Sequence, residues 1–246
     1  MRRDDVPDQW SHNHYGDEFA RVYDRWYPPD DETVACADSV VSAARGGRVL
    51  ELGAGTGRVT LVVARRCTQV VAVDNSAAML EGLLARAPAN VWVEFGHMVR
   101  DMPEGPFDAV LCTDNTLFNL VADGEQRSAF AAVAQRLARG GAFLAACTVP
   151  HDADEPTSTS GTEIRLGEVV DSTATIDPRR HVVSGEYTVR GAPPMRWQLR
   201  WTSPDDLDTW AGEHGMRLVA RWSTWSREPF VRSSTRHVSI WTLDEI

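Results

Sequence analysis

A chain of 246 residues, 43% of them hydrophobic, can supply the core of one large α/β domain or two small ones. Its net charge of −10 and pI near 5.1 would repel a polyanion across most of the surface, which argues against nucleic acid as a partner. No run approaches the roughly 18 apolar residues of a membrane span, and the N-terminus carries no apolar leader, so a cytoplasmic protein with no membrane partner is expected.

In chain order, residues 18–27 put Phe19, Val22, Tyr23, Trp26 and Tyr27 at helical spacing, and Pro28-Pro29 ends the run. A second helix over 31–45 is closed by Gly46-Gly47. Strands over 48–52, 69–73, 91–95, 107–113 and 141–149 then alternate with helices over 56–66, 76–86 and 123–139. The unbroken apolar stretch Ala109-Val110-Leu111-Cys112 is what a parallel sheet covered on both faces requires. A polar loop over 152–161 precedes three strand-like stretches, 163–170, 181–190 and 195–201. A helix over 203–214, capped by Ser203 with Pro204 in its first turn, and strands over 216–225 and 237–243 complete the chain.

The expected fold is therefore α/β, a doubly wound Rossmann-like seven-stranded sheet with an antiparallel β insert after the fifth strand. It reads as one domain: a helical lid over 1–47, a cofactor-binding core over 48–150 and 201–246, and the insert over 151–200 above the substrate site. Cys36, Cys67, Cys112 and Cys147 lack paired spacing, so buried thiols are expected, with neither a disulfide framework nor a metal site.

The run Arg48-Val49-Leu50-Glu51-Leu52-Gly53-Ala54-Gly55-Thr56-Gly57-Arg58 reads as a strand, a glycine turn and the start of a helix, and Asp74 ends the next strand. Glycines there let backbone approach a ligand, the helix start offers free N–H groups, and the carboxylate can take ribose hydroxyls. Arg58 stands where a dinucleotide fingerprint needs glycine, and the Gly-Lys-Ser/Thr of a P-loop is missing. The run, with Asp74 after it, resembles the first motif and second-strand acid of the class I S-adenosylmethionine-dependent methyltransferases.

Further segments are similar to one branch of that family, common in antibiotic and amino-sugar biosynthesis and known mostly for N-methylation. They are Arg21-Val22-Tyr23-Asp24-Arg25-Trp26-Tyr27, Asp74-Asn75-Ser76-Ala77-Ala78-Met79-Leu80, Asn115-Thr116-Leu117-Phe118-Asn119-Leu120 with Gln126, Leu137-Ala138-Arg139-Gly140-Gly141, and Trp225-Ser226-Arg227-Glu228-Pro229-Phe230. Two departures stand out: Gly96-His97-Met98 replaces the family's Gly-Asp-Met, and Asp114 replaces an apolar or aromatic residue before Asn-Thr-Leu.

The resemblance implies S-adenosylmethionine as cofactor, S-adenosylhomocysteine as product and a small-molecule substrate. Cofactor contacts are expected from Tyr15, Tyr23, Glu51, Gly53, Ala54, Gly55, Gly57, Asp74, Asn75, Met79, His97, Met98 and Thr113. Tyr27, Asn115, Phe118 and Trp197 are expected at the substrate. Methyl transfer from a sulfonium needs little beyond positioning and, for an amine, a lone pair freed of its proton. Asp114, His151, His14 and Tyr23 are the catalytic candidates, with His12 and His181 as further histidines. An amine nitrogen is the favoured acceptor; O- or C-methylation and a catalytically silent cofactor-binding module are the alternatives, and homo-oligomerisation is left open.

Overall fold

Strands too continuously apolar to leave a face in water are buried on both sides in the computed structural model, which describes residues 14–149 and 156–244. Strands β1 (Arg48–Leu52), β2 (Gln69–Asp74), β3 (Val91–Phe95), β4 (Phe107–Cys112) and β5 (Leu137–Thr148) run parallel. A second, antiparallel sheet follows them, in the order β6 (Thr157–Arg165), β7 (Glu168–Asp177), β8 (Val182–Val189), β9 (Met195–Arg200). Strands β10 (Met216–Trp222) and β11 (Arg236–Leu243) complete the first sheet in the order β10-β11-β5-β4-β1-β2-β3, with β11 antiparallel to both neighbours.

Helices α1 (His14–Phe19), α2 (Tyr23–Trp26), α3 (Asp31–Ala44), α4 (Thr60–Val63), α5 (Ala77–Leu84), α6 (Glu125–Arg136) and α7 (Pro204–Gly212) pack around these sheets. Alternation along each strand divides the core: Val49, Ala109 and Leu144 face α3, α4 and α5, while Leu50, Val110 and Phe143 face α6 and α7. On the second face Phe130, Phe143 and Trp241 meet at 5.3–5.6 Å, and the Trp241 ring N–H donates to Asp208 at 2.8 Å. Each such aromatic pair adds roughly 0.5–1.5 kcal/mol beyond its buried area. Among the described residues no helix is long and apolar enough to cross a membrane, and all four cysteines are buried free thiols.

The N-terminal helices sit between the two sheets. Phe19, Val22, Met79 and Met195 form a small third core linking α1, α5 and β9. A Cβ on Gly16 would come within 2.3 Å of the Ser76 Cβ, so only glycine allows α1 this close to the start of α5. Ser76 uses its hydroxyl twice, accepting from the Met79 N–H and donating to Asp17 at 2.6 Å. Asp24 accepts from Thr56 at 2.5 Å and lies 3.0 Å from Arg86. Arg165 of β6 stacks over Trp26 at 4.8 Å and Tyr187 at 5.1 Å, joining the antiparallel sheet to α2.

Several expected boundaries are corrected. The expected helix over 18–27 is two short helices with a turn between them. The expected helix over 56–66 reduces to α4, where Thr60, Val62 and Val63 are β-branched and resist helix. The insert has four strands instead of three: Leu166 (φ 51°) and Gly167 (φ 82°) make a tight hairpin inside the expected strand 163–170. Thr157 to Gly161, expected in a loop, pairs with β7 through alternating Ser and Thr.

Gly57, expected at the cofactor, has a different task. Its φ is +88°, and an added Cβ would lie 2.4 Å from Leu83 Cδ1, so the residue seats the glycine turn on α5. Gly57→Ala should therefore lower stability by roughly 1–3 kcal/mol in a thermal melt, while the folded protein keeps its ligand affinity. A variant as stable as the parent would remove this packing role.

Candidate active site

In a mostly parallel sheet the loops beyond the strand C-termini carry the ligand crevice, and here they enclose a cavity of about 460 Å³. The turn after β1 forms one wall. Gly53 (φ +68°) and Ala54 donate their N–H groups to the Val73 carbonyl at 2.8 and 3.0 Å. A Cβ on Gly53 would strike Thr116 at 2.2 Å, whereas one on Gly55 (φ +56°) would meet nothing within 4 Å. Gly55 thus faces open space in the left-handed backbone region.

Asp74 is pinned beside it. One carboxylate oxygen accepts from the Gly55 N–H and the other from the Ser76 N–H, both at 2.8 Å. Burial raises its carboxyl above the usual range, and these N–H groups oppose the rise. Asn75, Met79 and Met98 line the cavity near it. His97, the replacement for the family's acid, also lines the cavity, and its Nδ1 accepts from the Val99 and Arg100 N–H groups at 3.2 and 3.4 Å.

Glu51 lies beneath the glycine turn, 3% exposed, accepting from Thr60 at 2.5 Å. Burial pushes its carboxyl up to about 7, against the hydrogen bond from Thr60 and the charge of Arg58. The turn after β4 forms the facing wall. Thr113 lines the cavity, and Asp114 (φ 53°) and Asn115 (φ 64°) are consecutive non-glycine residues in the left-handed region. Such a conformation persists only where its surroundings hold it. Asn115 is held twice, donating its N–H to the Ala146 carbonyl at 3.0 Å and accepting from the Thr148 N–H at 2.7 Å.

Arg58 closes the corner between these walls. It forms a short ion pair with Asp114 and donates to Thr33 at 3.0 Å; its side chain is 15% exposed and that of Asp114 is 49% exposed. Asp114, expected as a free carboxylate for an amine proton, is therefore already paired. Although Asp114 is half exposed, the protein around it displaces enough water to raise its carboxyl above the usual range, with Arg58 opposing.

The remaining wall is aromatic. All four tyrosines of the chain, Tyr15, Tyr23, Tyr27 and Tyr187, reach this one cavity, joined by Trp197. Tyr15 stacks on Phe19 at 4.5 Å, and Tyr23 and Tyr27 lie 5.1 Å apart. Burial, then the charge of Asp114, pushes the Tyr23 phenol up to about 12, so it stays protonated at neutral pH. Gly185 on β8 makes room for Trp197: a Cβ there would lie 2.5 Å from the indole.

Phe118, expected at the substrate, is fully buried in the core against the α6 face and does not reach the cavity. His12 and His151 lie outside the described residues, as does the side chain of His14. His181 sits at a hairpin turn with its ring stacked on Trp201 at 5.4 Å, away from the cavity. Of the six tryptophans over 197–241 only Trp197 lines the cavity; Trp201, Trp210 and Trp241 pack on one core face and Trp222 and Trp225 on the other. Sequence reasoning missed Arg58 as a site residue because it served only to exclude another motif. Tyr187 and Arg196 were hidden by strands that alternate without a distinctive motif.

Residues 49–141 match a methyltransferase domain family. The chain is 30% identical over 187 residues to the cypemycin N-terminal methyltransferase of Streptomyces sp, covering 72% of this chain and 71% of that protein. The solved structure of the CcbJ methyltransferase from Streptomyces caelestis matches with a TM-score of 0.86 and 31% identity, over 95% of this chain and 99% of that one. S-adenosylmethionine-bound CalS10, an amino pentose methyltransferase from Micromonospora echinaspora, shares the fold at a TM-score of 0.70 and 22% identity, over 91% and 94% of the two chains. The chain belongs to the S-adenosylmethionine-dependent methyltransferase family.

The buried Glu51 generates a pH dependence. Its folded value of about 7 exceeds the ordinary 4.5, so between these values the folded protein holds a proton that the unfolded chain has released. That contribution is complete below about pH 4.5 and is lost as pH rises through about 7, by up to about 3 kcal/mol. Urea unfolding of ligand-free protein should show this loss, and Glu51→Gln should abolish it; an equal slope in the variant assigns it to other groups.

Proposed function

We propose that this enzyme methylates an amine nitrogen of a small natural product. The observation that carries the reading is the convergence of four tyrosines and Trp197 on one cavity whose three carboxylates, Glu51, Asp74 and Asp114, are already bonded. Aromatic faces attract cations, and transfer from sulfonium to amine moves one positive charge across the cavity without creating a negative one. An O- or C-acceptor would need its proton removed before or during attack. Among the described residues Asp114 is paired, Glu51 lies beneath the glycine turn bonded to Thr60, the Tyr15 and Tyr23 phenols are held protonated, and the His97 Nδ1 accepts backbone N–H groups. A neutral amine can attack first and lose its proton to water afterwards.

The cavity fits the family's cofactor. Gly55 leaves room where its Cβ would be, and each Asp74 oxygen keeps a lone pair for a ribose hydroxyl. When bound, S-adenosylmethionine supplies an electrophilic methyl group on a positively charged sulfur. Met79, His97 and Met98 are assigned to the adenine, and Glu51 to the positive end of the amino-acid moiety. Tyr15 and Tyr23 wall the methyl group from water, and Tyr27, Tyr187, Trp197 and the Asn115 turn face the acceptor. The N-terminal helices act as a lid whose anchors, Asp17 and Asp24, sit on the two turns that hold the cofactor. The relatives named for cypemycin and for an amino pentose support nitrogen as acceptor. Free buried thiols fit a cytoplasmic enzyme.

Calorimetry should show S-adenosylmethionine and S-adenosylhomocysteine binding, weakened by roughly 1–3 kcal/mol in Asp74→Ala, which leaves ligand hydroxyls unpaired. Binding of NAD in their place overturns the assignment. In a panel of amines, phenols and acidic carbons, S-adenosylhomocysteine release should follow the amines, with a rate that rises with pH through each amine's own pKa. Turnover confined to phenols or carbon acids overturns the choice of nitrogen.

Asp114→Asn should leave that pH profile in place and lower cofactor affinity by up to about 1 kcal/mol, because it frees the Arg58 cation beside a cationic ligand. A profile displaced to higher pH would return Asp114 to the role of base.

A further inference from the structure

Behind the Arg58–Asp114 pair lies a second cavity of about 180 Å³, which shares Thr113 and Asn115 with the first. Its far wall is the start of β11, where His237 pairs in register with Cys147 of β5 at the ligand-bearing edge of the sheet. His237 is 1% exposed, with Phe230 edge-on at 6.4 Å. Its Nδ1 lies 2.8 Å from the Ser239 hydroxyl, which accepts from the Arg221 Nε at 2.8 Å. Ser239 is fully buried, so its own proton is assigned to Nδ1, which leaves the ring proton on Nε2. Burial, then the Arg221 charge, lowers the ring to about 4 against the pull of Asp208, so the imidazole is neutral near pH 7.

That Nε2 has no hydrogen-bond partner among the described residues, and neither does the buried Nε of Arg58. A buried donor left unpaired is costly, and native proteins rarely keep one without a ligand or water to meet it. The carboxylates nearby are already engaged: Asp30 by Thr33, Glu32 by Trp225, Ser226 and Arg236, and Asp114 by Arg58. What the cavity still offers is therefore these two N–H donors and the Thr113 hydroxyl, likewise unpartnered, with no free carboxylate. Three carboxylates against two guanidinium groups give it no positive excess that would favour an anion.

We propose that this second cavity is a subsite for an uncharged oxygen of the methyl acceptor, a hydroxyl or a carbonyl, received by His237 Nε2–H. The assignment of its occupant to the acceptor rests on the function proposed above, since only the Arg58–Asp114 corner separates it from the methyl-transfer cavity. His237 is thereby a specificity residue.

The test uses the intact protein saturated with S-adenosylhomocysteine, with NMR of the histidine ring nitrogens. His237 should be neutral with its proton on Nε2. Methyl α-glucoside, a hydroxyl probe, or dimethylacetamide, a carbonyl probe, should shift that resonance saturably, and formate should not; the responding probe identifies which oxygen is taken. His237→Gln, which keeps a donor, should retain probe binding, and His237→Leu should lose roughly threefold to tenfold of it. A proton on Nδ1, no response to either neutral probe, or an equal response to formate overturns the subsite. These readings need no variant, so a misfolded His237→Leu does not block the test. Failure to saturate with S-adenosylhomocysteine is read separately and counts against the cofactor assignment.

Discussion

A guanidinium placed where little water reaches it must be surrounded by acceptors, and the Arg58 group organises the site by that requirement. It leaves the glycine turn, pairs with Asp114 and bonds Thr33 at the start of α3. Three segments far apart in sequence are thereby held at one point: the turn after β1, the turn after β4, and the helix that follows the N-terminal segment. The strained backbone of Asp114 and Asn115 is tolerable because Arg58 fixes one side of it and β5 the other. The same pair divides the crevice into two chambers, an aromatic one suited to positive charge and a smaller one with N–H donors to spare.

The acids of the N-terminal helices follow a related logic. Asp17 meets the cap of α5 and Asp24 the glycine turn, so each carboxylate sits near backbone N–H groups that a ligand also approaches. Two short helices with a small apolar core of their own depend on such polar ties, with Arg165 over Trp26, to hold them in place.

Asp74 and the glycine turn were legible in the sequence because each position has a steric or hydrogen-bonding demand that few residue types meet. The doubly wound core was legible for a similar reason: buried parallel strands leave long apolar runs. Gly57 shows where that reasoning stops, since a glycine required by a neighbouring leucine looks the same in sequence as one required by a ligand. Phe118 shows the converse, an aromatic residue in a site loop that turns inward to the core. Asp114 and Arg58 are far apart in the chain, so the ion pair that fixes their roles is a product of topology alone. The first strand of the insert was hidden because a run of serine and threonine has no apolar face to mark its period.

The gathering of every phenol into one crevice also gives the protein a built-in optical reporter. Trp201, Trp210, Trp222, Trp225 and Trp241 pack against the core of the main sheet, whereas the phenolic absorption comes only from the crevice. With the Tyr15 and Tyr23 hydroxyls held protonated well past the ordinary range, alkaline titration of the folded chain would leave those two rings silent while it stays closed. Their appearance as phenolate would mark the moment at which the aromatic wall parts and admits water.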